Sequence, residues 1–422
     1  MASLTFELEN TTADYLGQVQ YALAFLSEDV LSYHIDEFAR QVAIEFRPGA
    51  DIEAMRPRVD ELLRRYQQSE FGMKSAVSFD QRRKLPEIDA WAGLLERRWV
   101  TPVGEGHVIL RGLAARLHAL VDQKAVAIFT RAFHAEPEIF PSTIKSETLH
   151  RCHHFASFPE HMDFVSHLKQ DLEVLSAFSS ACRNEGWSAT LHEGNMGAHD
   201  FAISPSCCYH AYEGMEGWDL EKPGRCITAT LNCHRYEGAN HKSLSRLRSF
   251  NMREVVWVGQ PGWVIASRAR AEELIQEWAK DWELSCTLEI ANDMFFTDDF
   301  AVKASFQRQQ EAKRELRMEI PADRNSISVF SSNFHATTFG KAFGITVAGR
   351  PAVSACVGWG CERWVYALFC QFGFEPANWP AGLKRDFDAF SAGADGPSRR
   401  EFQRRAGASP RQVACARIGA WS

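Results

Sequence analysis

Two segments on either side of a polar loop bring together an arginine, two carboxylates and an aromatic ring. The sequence ITATLNCHRYEG covers residues 227–238, and SFNMREVVWVG covers residues 249–259. Both segments predict strands, so alternation puts Arg235 and Glu237 on one face of the first strand and Phe250 and Glu254 on one face of the second. An arginine can clamp a phosphate, and a phenyl ring can stack on a purine. The hairpin therefore predicts a nucleotide-binding wall, and the alternative is a hairpin with ordinary surface charges.

A second segment, RPAVSACVGWGCERWVYALFCQFG at residues 350–373, combines an apolar strand with a glycine pair and an arginine. Gly358 and Gly360 let a ligand approach the backbone closely. A helix is predicted to open near Glu362, which puts Arg363 in its first turn, where anions are favoured. The segment predicts an anion site, and the alternative is a strand–turn–helix corner that needs glycine for packing alone.

These segments, in this order, resemble motifs 2 and 3 of the class II aminoacyl-tRNA synthetases. CHRYEG followed by RLRSF is similar to motif 2, and GWGCER is similar to motif 3. SSNFHATTFGKAFGI (331–345) resembles the Ser-Asn-Phe strand of seryl-tRNA synthetases, and residues 139–159 lie where motif 1 belongs, with Pro141 as its proline. The resemblance spans residues 140–375. It implies an α+β fold with a class II synthetase catalytic core, a mainly antiparallel β-sheet flanked by helices, and a small N-terminal α/β module.

The resemblance also implies a role for each matching residue. Arg235 would bind the α-phosphate and the amino acid carboxylate, and Arg363 would cover one face of the adenine and reach the γ-phosphate. Glu237 would contact the adenine, and Phe250 would stack beneath it. The implied reaction is attack of an amino acid carboxylate on the α-phosphate of ATP, which yields an aminoacyl-adenylate and pyrophosphate. Arg235, Arg363 and Mg²⁺ would neutralise the developing charge.

Cysteines and a glutamate around the same strands offer a metal site. SPSCCYH (204–210) supplies Cys207 and Cys208, while Glu254 and Cys356 belong to the motif 2 and motif 3 strands. The pattern resembles the zinc-dependent seryl-tRNA synthetases and, more closely, their truncated relatives, the amino acid:[carrier protein] ligases. It implies Zn²⁺ held by Cys208, Glu254 and Cys356, with Cys208 favoured over Cys207 by its spacing and a fourth position open to the substrate amino group. Buried structural cysteines are the alternative.

Two acceptors compete for the activated amino acid. The first is the phosphopantetheine thiol of an acyl or peptidyl carrier protein, and the second is a tRNA hydroxyl. A tRNA synthetase needs a basic RNA-binding surface, but residues 1–100 hold 12 Lys and Arg against 17 Asp and Glu, and no pair of long heptad helices is evident. The sequence therefore predicts ATP-dependent transfer of a small amino acid to a carrier protein. A zinc-dependent seryl-type tRNA synthetase and a non-catalytic amino acid-binding regulator are the alternatives.

The chain of 422 residues carries a net charge of −7 and divides into three predicted parts. Residues 1–100 form an N-terminal α/β module that the ligases it resembles lack, residues 106–390 form the catalytic domain, and residues 391–422 form a basic, mobile tail. The tail and the stretch 307–317 are candidate docking surfaces for an acidic carrier protein, and plain solvated surface is the alternative for both. The class II core implies a homodimer. An N-terminus without a secretory signal, no long apolar run and an odd number of eleven cysteines predict a cytoplasmic protein.

Hydrophobic periodicity and turn residues predict the individual elements. The N-terminal module is predicted to hold strands at 4–8 and 41–46 and helices at 13–38 and 52–66. The catalytic part is predicted to hold helices at 110–133, 159–183, 270–282 and 362–372 and strands at 227–236, 249–258 and 353–357. The clustered His153, His154 and His161 are interpreted as polar core or surface residues, without a metal role.

Overall fold

The computed structural model describes residues 2–9, 13–36, 39–67, 76–188, 190–191, 193–241, 243–291 and 312–394, and it begins with a small α/β module. The module's strands are β1 (Ala2–Glu7), β2 (Val30–Asp36) and β3 (Gln41–Phe46), with β3 central and both pairings antiparallel. Helices α1 (Ala13–Leu23) and α2 (Ile52–Gln67) share one apolar core with this sheet. Alternation buries every second residue of β3, which confirms its predicted strand pattern.

The helix predicted over residues 13–38 is wrong in its second half. α1 ends at Leu23, and residues 30–36 form β2. Between them the Ser27 hydroxyl accepts from the Asp29 N–H at 3.2 Å, and the Asp29 carbonyl accepts from the Arg47 N–H at 2.8 Å. Short polar side chains that bond nearby backbone compete with a helix, so the chain turns here and β2 pairs with β3.

The two hydrophobic cores divide the chain at a different point from residue 100. The core of the N-terminal module draws its buried residues from 4–66. Strand β4 (Val77–Asp80) joins the large sheet by pairing with β14 (Cys286–Ile290), and helix α3 (Ala90–Glu96) contributes Ala90 and Leu94 to the core of that sheet. We therefore propose that the boundary between the two domains lies between α2 and β4.

Within the described residues, eight strands form the sheet that dominates the catalytic part. Their order is β4-β14-β15-β16-β19-β13-β12-β7, and neighbours are antiparallel except for the parallel pair β12–β7. This architecture confirms the predicted α+β class with a mainly antiparallel sheet. The strands not yet given are β7 (Glu136–Pro137), β12 (Gly224–His234), β13 (Ser249–Gly259), β15 (Lys313–Ile320), β16 (Asn325–Ala336) and β19 (Val353–Gly360).

The period-two alternation of β13 and β19 separates structural residues from candidate site residues. Trp257 and Val357 face the main core, where helices α4 (Gly112–Ala125), α10 (Pro261–Asp281) and α12 (Cys361–Phe372) also pack. Val256 and Cys356 face a second apolar cluster on the opposite side of the sheet. Because Glu254 stands two residues from Val256, its side chain falls on that second side as well. The sheet thus presents Glu254 and Cys356 away from the main helices.

Residues 139–203 form a layer beside the large sheet, and one predicted helix in it is wrong. In place of a helix over 159–183, the chain has a 3₁₀ turn (Pro159–His161), strand β9 (Phe164–Val165) and then α8 (Leu172–Glu185). The Asp171 carboxylate caps α8 by accepting from the Glu173 and Val174 N–H groups at 2.8 and 3.2 Å, which sets the late start. The other elements of this layer are β8 (Thr143–Lys145), α6 (Ser146–Arg151), α7 (His154–Ser157) and β10 (Phe201–Ile203).

The remaining elements connect and flank the two large units. The predicted helix 110–133 is α4 continued by a π-helical turn (Val126–Thr130) and α5 (Arg131–Phe133), and the helix predicted at 270–282 begins earlier, at Pro261. The others are β5 (Val100–Gly104), β6 (His107–Leu110), α9 (Cys208–Gly214), β11 (Asp219–Leu220), α11 (Thr338–Ala342), β17 (Thr346–Val347), β18 (Arg350–Pro351) and α13 (Ala381–Ala394).

Parts of the predicted docking surfaces fall outside the described residues. The tail is described only to residue 394, and residues 307–311 of the basic stretch are likewise not described. In the described half of that stretch, Lys313 pairs with Glu315 at 3.0 Å, Arg314 with Glu272 at 2.8 Å and Arg317 with Glu315 at 3.3 Å, so all three cations already have acidic partners. None of the helices in the described ranges has the length and apolar character that crossing a bilayer requires.

Candidate functional site

Three buried side chains from separate elements converge at the predicted metal position. Cys208 opens helix α9, Glu254 lies on β13 and Cys356 lies on β19, and one ligand atom from each lies within 4.8 Å of the other two. The sheet register explains the meeting, since Val256 pairs with Cys356 and Glu254 pairs with Gly358. Cys207 is also buried but packs in a different cluster with Leu231 and Cys233. The structure therefore brings Cys208, and not Cys207, into the group.

Within the described part of the chain, Glu254 has an oxygen without a hydrogen-bond partner, which indicates that the three residues can bind a further ligand. Its Oε1 accepts from the Ser206 hydroxyl at 3.4 Å, whereas its Oε2 is buried without a hydrogen-bond partner among the described residues. A buried carboxylate oxygen left without a partner costs free energy. Two sulfur atoms and one carboxylate form a donor set typical of Zn²⁺ with one position left for a substrate. The residues present therefore fit such a metal.

The protonation of the three groups follows from their burial and their closeness. Burial raises the pKa of Glu254 to about 8, and the neighbouring Cys356 sulfur adds to the rise. The hydrogen bond from Cys208 holds the pKa of Cys356 below its usual range, while the same bond and burial raise the pKa of Cys208. In this pair Cys208 is the hydrogen-bond donor and Cys356 the acceptor. A bound dication would replace the shared proton and keep both sulfurs ionised.

Two residues of β16 support the Cys356 sulfur and were not singled out from the sequence. The Asn333 Nδ2 donates to Sγ at 3.6 Å, and the His335 Nε2 lies 3.8 Å from it. The Tyr212 hydroxyl lies 3.1 Å from the His335 Nδ1, which favours the tautomer with the proton on Nε2. Their positions two residues apart in SSNFH could have indicated them, because such residues share one face of a strand. β16 pairs with β19, which sets Asn333 directly opposite Cys356.

The predicted nucleotide-binding residues gather at the open end of the β12–β13 hairpin. β12 ends at His234, so Arg235 and Glu237 follow the strand, and the expected alternation does not reach Glu237. The Arg235 Nε donates to the Pro205 carbonyl at 2.9 Å, and its guanidinium carbon lies 5.5 Å from the centre of the Phe250 ring. Arg235 and Phe250 therefore lie together, as predicted from the hairpin.

A cluster of charges completes this side and includes Arg246, which had no predicted role. Glu237 is buried and forms an ion pair with Arg246. Burial alone would raise the pKa of Glu237, but Arg246 and then Arg363 lower it to about 2, so the side chain is ionised. In the first turn of α12, Arg363 donates from Nε to the Ser245 carbonyl at 2.8 Å, and burial and Arg246 lower its pKa to about 10. Three arginines around one carboxylate leave net positive charge, which suits a polyphosphate.

One short segment links the sulfur cluster to the arginine cluster. Pro205 accepts from Arg235, and the next residue, Ser206, lies 3.3 Å from the Cys208 sulfur and donates to Glu254. The positive charge of Arg235 also lowers the pKa of Glu254. The two clusters therefore belong to one site.

Comparison with known proteins identifies the family of this chain. No protein-family model matches the chain. It is 30% identical over 280 residues to amino acid--[acyl-carrier-protein] ligase 1 of Bradyrhizobium diazoefficiens, a match that covers 65% of this chain and 84% of that relative. The chain belongs to this ligase family. Ligase 2 of the same organism is also 30% identical, over 273 residues, which cover 80% of its length.

Seryl-type proteins are similar to this ligase-family chain over a smaller part of their own length. The type-2 serine--tRNA ligase of Methanothermobacter thermautotrophicus is 27% identical over 250 residues, which are 57% of this chain and 48% of that relative. Among solved structures, the M. kandleri seryl-tRNA synthetase in complex with A. aeolicus tRNASec has a TM-score of 0.66 at 22% identity, covering 92% of this chain and 77% of that one. A Naegleria fowleri cytoplasmic serine-tRNA ligase in complex with AMP has a TM-score of 0.58 at 9% identity. These structural likenesses confirm the class II synthetase fold.

Other predicted residues of the ligase-family chain lie beside the site. The stretch 139–159 forms β8, α6 and α7 in the side layer, and Pro141 precedes β8. His154 is buried with its Nδ1 at 3.1 Å from the Tyr209 hydroxyl, and burial lowers its pKa to about 2, which agrees with a neutral core residue. His153 is exposed. His161 lies near the arginine cluster, where its Nε2 is 3.2 Å from the Tyr21 hydroxyl.

Proposed function

We propose that this protein activates a small amino acid with ATP and transfers it to the phosphopantetheine thiol of an acyl or peptidyl carrier protein. The main support is that the Cys208–Glu254–Cys356 group and the Arg235–Arg363 cluster lie in one site. One cluster suits the amino end of a small zwitterion, and the other suits a polyphosphate. Membership of the ligase family, with 84% of a relative covered, supports the same conclusion.

The amino acid would be recognised at the sulfur cluster. Cys208, Glu254 and Cys356 would hold Zn²⁺, which when bound supplies an electrophilic position for the free α-amino group. The three residues of the cluster are buried, which limits the access of water to it. Asn333 and His335 would keep the Cys356 sulfur in place by donating hydrogen bonds to it. A small amino acid is expected as the substrate, since serine is the amino acid named for the type-2 serine--tRNA ligases that this chain resembles.

ATP would lie along the arginine cluster with its Mg²⁺. Arg235 would bind the α-phosphate and the substrate carboxylate, and Phe250 would stack on the adenine. Glu237 would contact the adenine, and Arg363 would cover its other face and reach the γ-phosphate. A substrate carboxylate oxygen bonds to the α-phosphorus as the bond to the β-phosphate oxygen breaks and pyrophosphate leaves. The arginines neutralise the charge of the transition state without a protein nucleophile.

In the second step the carrier thiolate attacks the acyl carbon of the adenylate. The thioester forms as the acyl–phosphate bond breaks, and AMP leaves with the electron pair. A carrier protein is favoured over tRNA because the match covers 84% of a carrier-protein ligase but 48% of a serine--tRNA ligase. The excess of acidic residues in 1–100 also disfavours binding of a polyanion. We further propose a homodimer, as expected of a class II core, and sedimentation at micromolar concentration tests it.

The acceptor is tested by one set of incubations with a mass-spectrometric readout. Enzyme, ATP, Mg²⁺ and one amino acid at a time are combined with phosphopantetheinylated carrier protein, with the same carrier lacking phosphopantetheine, or with tRNA. The proposal expects an aminoacyl adduct on the modified carrier alone. An adduct on tRNA would establish the synthetase alternative. Absence of amino acid-dependent pyrophosphate exchange into ATP would leave the non-catalytic binding protein as the remaining alternative.

A further inference from the structure

The N-terminal module reaches the arginine cluster through a tyrosine of helix α1. Tyr21 is 5% exposed, and the guanidinium carbon of Arg246 lies 5.1 Å from the centre of its ring. Its hydroxyl donates to the Glu160 Oε1 at 3.3 Å and lies 3.2 Å from the His161 Nε2. Burial and the nearby Glu237 raise the pKa of Tyr21, so the hydroxyl keeps its proton and remains a donor. The ring and the hydroxyl thus have separate partners in the catalytic part.

Further contacts join the module to the loop that carries Glu237. The Tyr33 hydroxyl donates to the Asn240 Oδ1 at 2.7 Å, and the Asn240 Nδ2 donates to the Glu237 carbonyl at 2.9 Å. At Gly238, with φ of 56°, a Cβ would come within 2.8 Å of the Ala24 carbonyl oxygen. The loop therefore needs a glycine here, both for its left-handed backbone and because the backbone of the module lies against it.

These contacts fall on the residues that must be held still to bind a nucleotide. Arg246 pairs with Glu237, and both belong to the charge cluster with Arg363. A long loop between two strands has many accessible conformations, and fixing it costs conformational entropy. A packed aromatic ring under the Arg246 guanidinium and a hydrogen bond to Asn240 restrict the loop before the nucleotide arrives. Such preorganisation strengthens binding by removing that cost from the binding step.

We propose that the N-terminal module supplies Tyr21 and Tyr33 to the ATP subsite, in which Tyr21 positions Arg246 and, through it, Glu237 for the nucleoside triphosphate. This inference rests on the proposed ATP-dependent activation. It assigns the N-terminal module to nucleotide binding, and not to recognition of the acceptor. The module has its own apolar core, so its contacts with the arginine cluster are not required to bury its hydrophobic residues.

The test compares three variants of the full chain by steady-state pyrophosphate exchange. Tyr21→Ala is expected to raise the KM for ATP about tenfold, from loss of the contact with Arg246 and of the hydroxyl bonds, while the KM for the amino acid changes less than about twofold. Tyr21→Phe keeps the ring under Arg246 and is expected to recover most of the affinity. Val19→Ala, on the same helix but in the module's own core, is expected to lower the melting temperature without changing the KM for ATP.

Calorimetric titration with ATP separates the failure of this inference from failure of the proposed function. If exchange is absent with every amino acid but ATP binds, the proposed activation is wrong, and the inference is still judged by a weaker ATP affinity in Tyr21→Ala. Equal ATP affinity in the parent protein and in Tyr21→Ala, or an equal KM effect from Val19→Ala, overturns the inference. If Tyr21→Ala does not fold, Tyr33→Phe removes the bond to Asn240 alone and is expected to raise the KM for ATP about threefold. No ATP binding by the parent protein overturns both.

Discussion

Substitution of Gly358 by alanine should disturb the metal cluster, although this residue carries no functional group. A Cβ at Gly358 would lie 3.1 Å from the Glu254 Cγ and 3.6 Å from its Oε1. Ordinary van der Waals contact begins at 3.4 Å, so Glu254 would have to move by a few tenths of an ångström. Metal–ligand distances tolerate about 0.2 Å. The displaced carboxylate should therefore bind the metal more weakly.

The expected loss of Zn²⁺ affinity can be estimated from other proteins in which a group that orients a metal ligand was removed. Disturbing groups that orient metal ligands typically costs about 10–100-fold in affinity, which corresponds to about 1.4–2.8 kcal/mol. We expect Gly358→Ala to lose Zn²⁺ affinity within this range. Competition with a chromogenic chelator measures it directly and does not depend on activity.

Gly360 provides the matched control, since it ends the same strand two residues later. A Cβ at Gly360 would have its nearest neighbour, the Arg363 Cδ, at 4.0 Å, which is ordinary contact. Its φ of −89° suits any residue, so Gly360→Ala should leave metal affinity unchanged. Equal metal affinities in both variants would refute the steric reasoning about Glu254.

Three further perturbations test the cluster and its surroundings. Cys356→Ala should remove stoichiometric zinc and amino acid-dependent exchange, whereas Cys207→Ala should keep both; metal analysis showing zinc fully retained in the first variant would contradict the assignment. His335→Phe should lower zinc affinity about tenfold by removing a donor to the Cys356 sulfur, and chelator competition with unchanged affinity would argue against that support. Burial raises the pKa of Glu160 from 4.5 to about 7, so protonation of this carboxyl stabilises the folded state. This stabilisation is complete below about pH 4.5 and is lost as the pH rises through 7, by at most about 3 kcal/mol. Urea unfolding at pH 5 and pH 8 should therefore show a smaller pH dependence for Glu160→Gln than for the parent protein, and equal dependence would contradict the prediction.

The outcome at individual residues shows how far local patterns reach. Alternation along β13 correctly grouped Phe250 and Glu254, because the whole run 249–259 is one regular strand. The same argument does not apply to Glu237, because β12 ends at His234. The end of a strand depends on where its neighbouring strand ends, and the residue types at that position do not encode this. The glycines were expected to make room for a ligand, but the side chain of Glu254 lies against Gly358.

The helix over residues 13–38 was predicted from spacing that also fits a half-buried strand. Pairing with β3 decided the second half of this segment. Here the pairing of two consecutive strands overrides a weak local preference for helix. The helix predicted over 159–183 was wrong at its start, because Asp171 caps a helix that begins at Leu172, thirteen residues after Pro159.

The sequence by itself determined the chemistry that the chain can offer and the class of its fold. The types and order of Arg235, Phe250, Glu254, Cys356 and Arg363 were enough for the class II resemblance, because strand periodicity and motif spacing are local properties. The tertiary structure decided which of two adjacent cysteines joins the cluster, that Arg246 pairs with Glu237, and that Tyr21 lies beneath Arg246. These outcomes depend on register and on packing between distant segments, whose distances are set by the whole fold and by no single stretch of sequence.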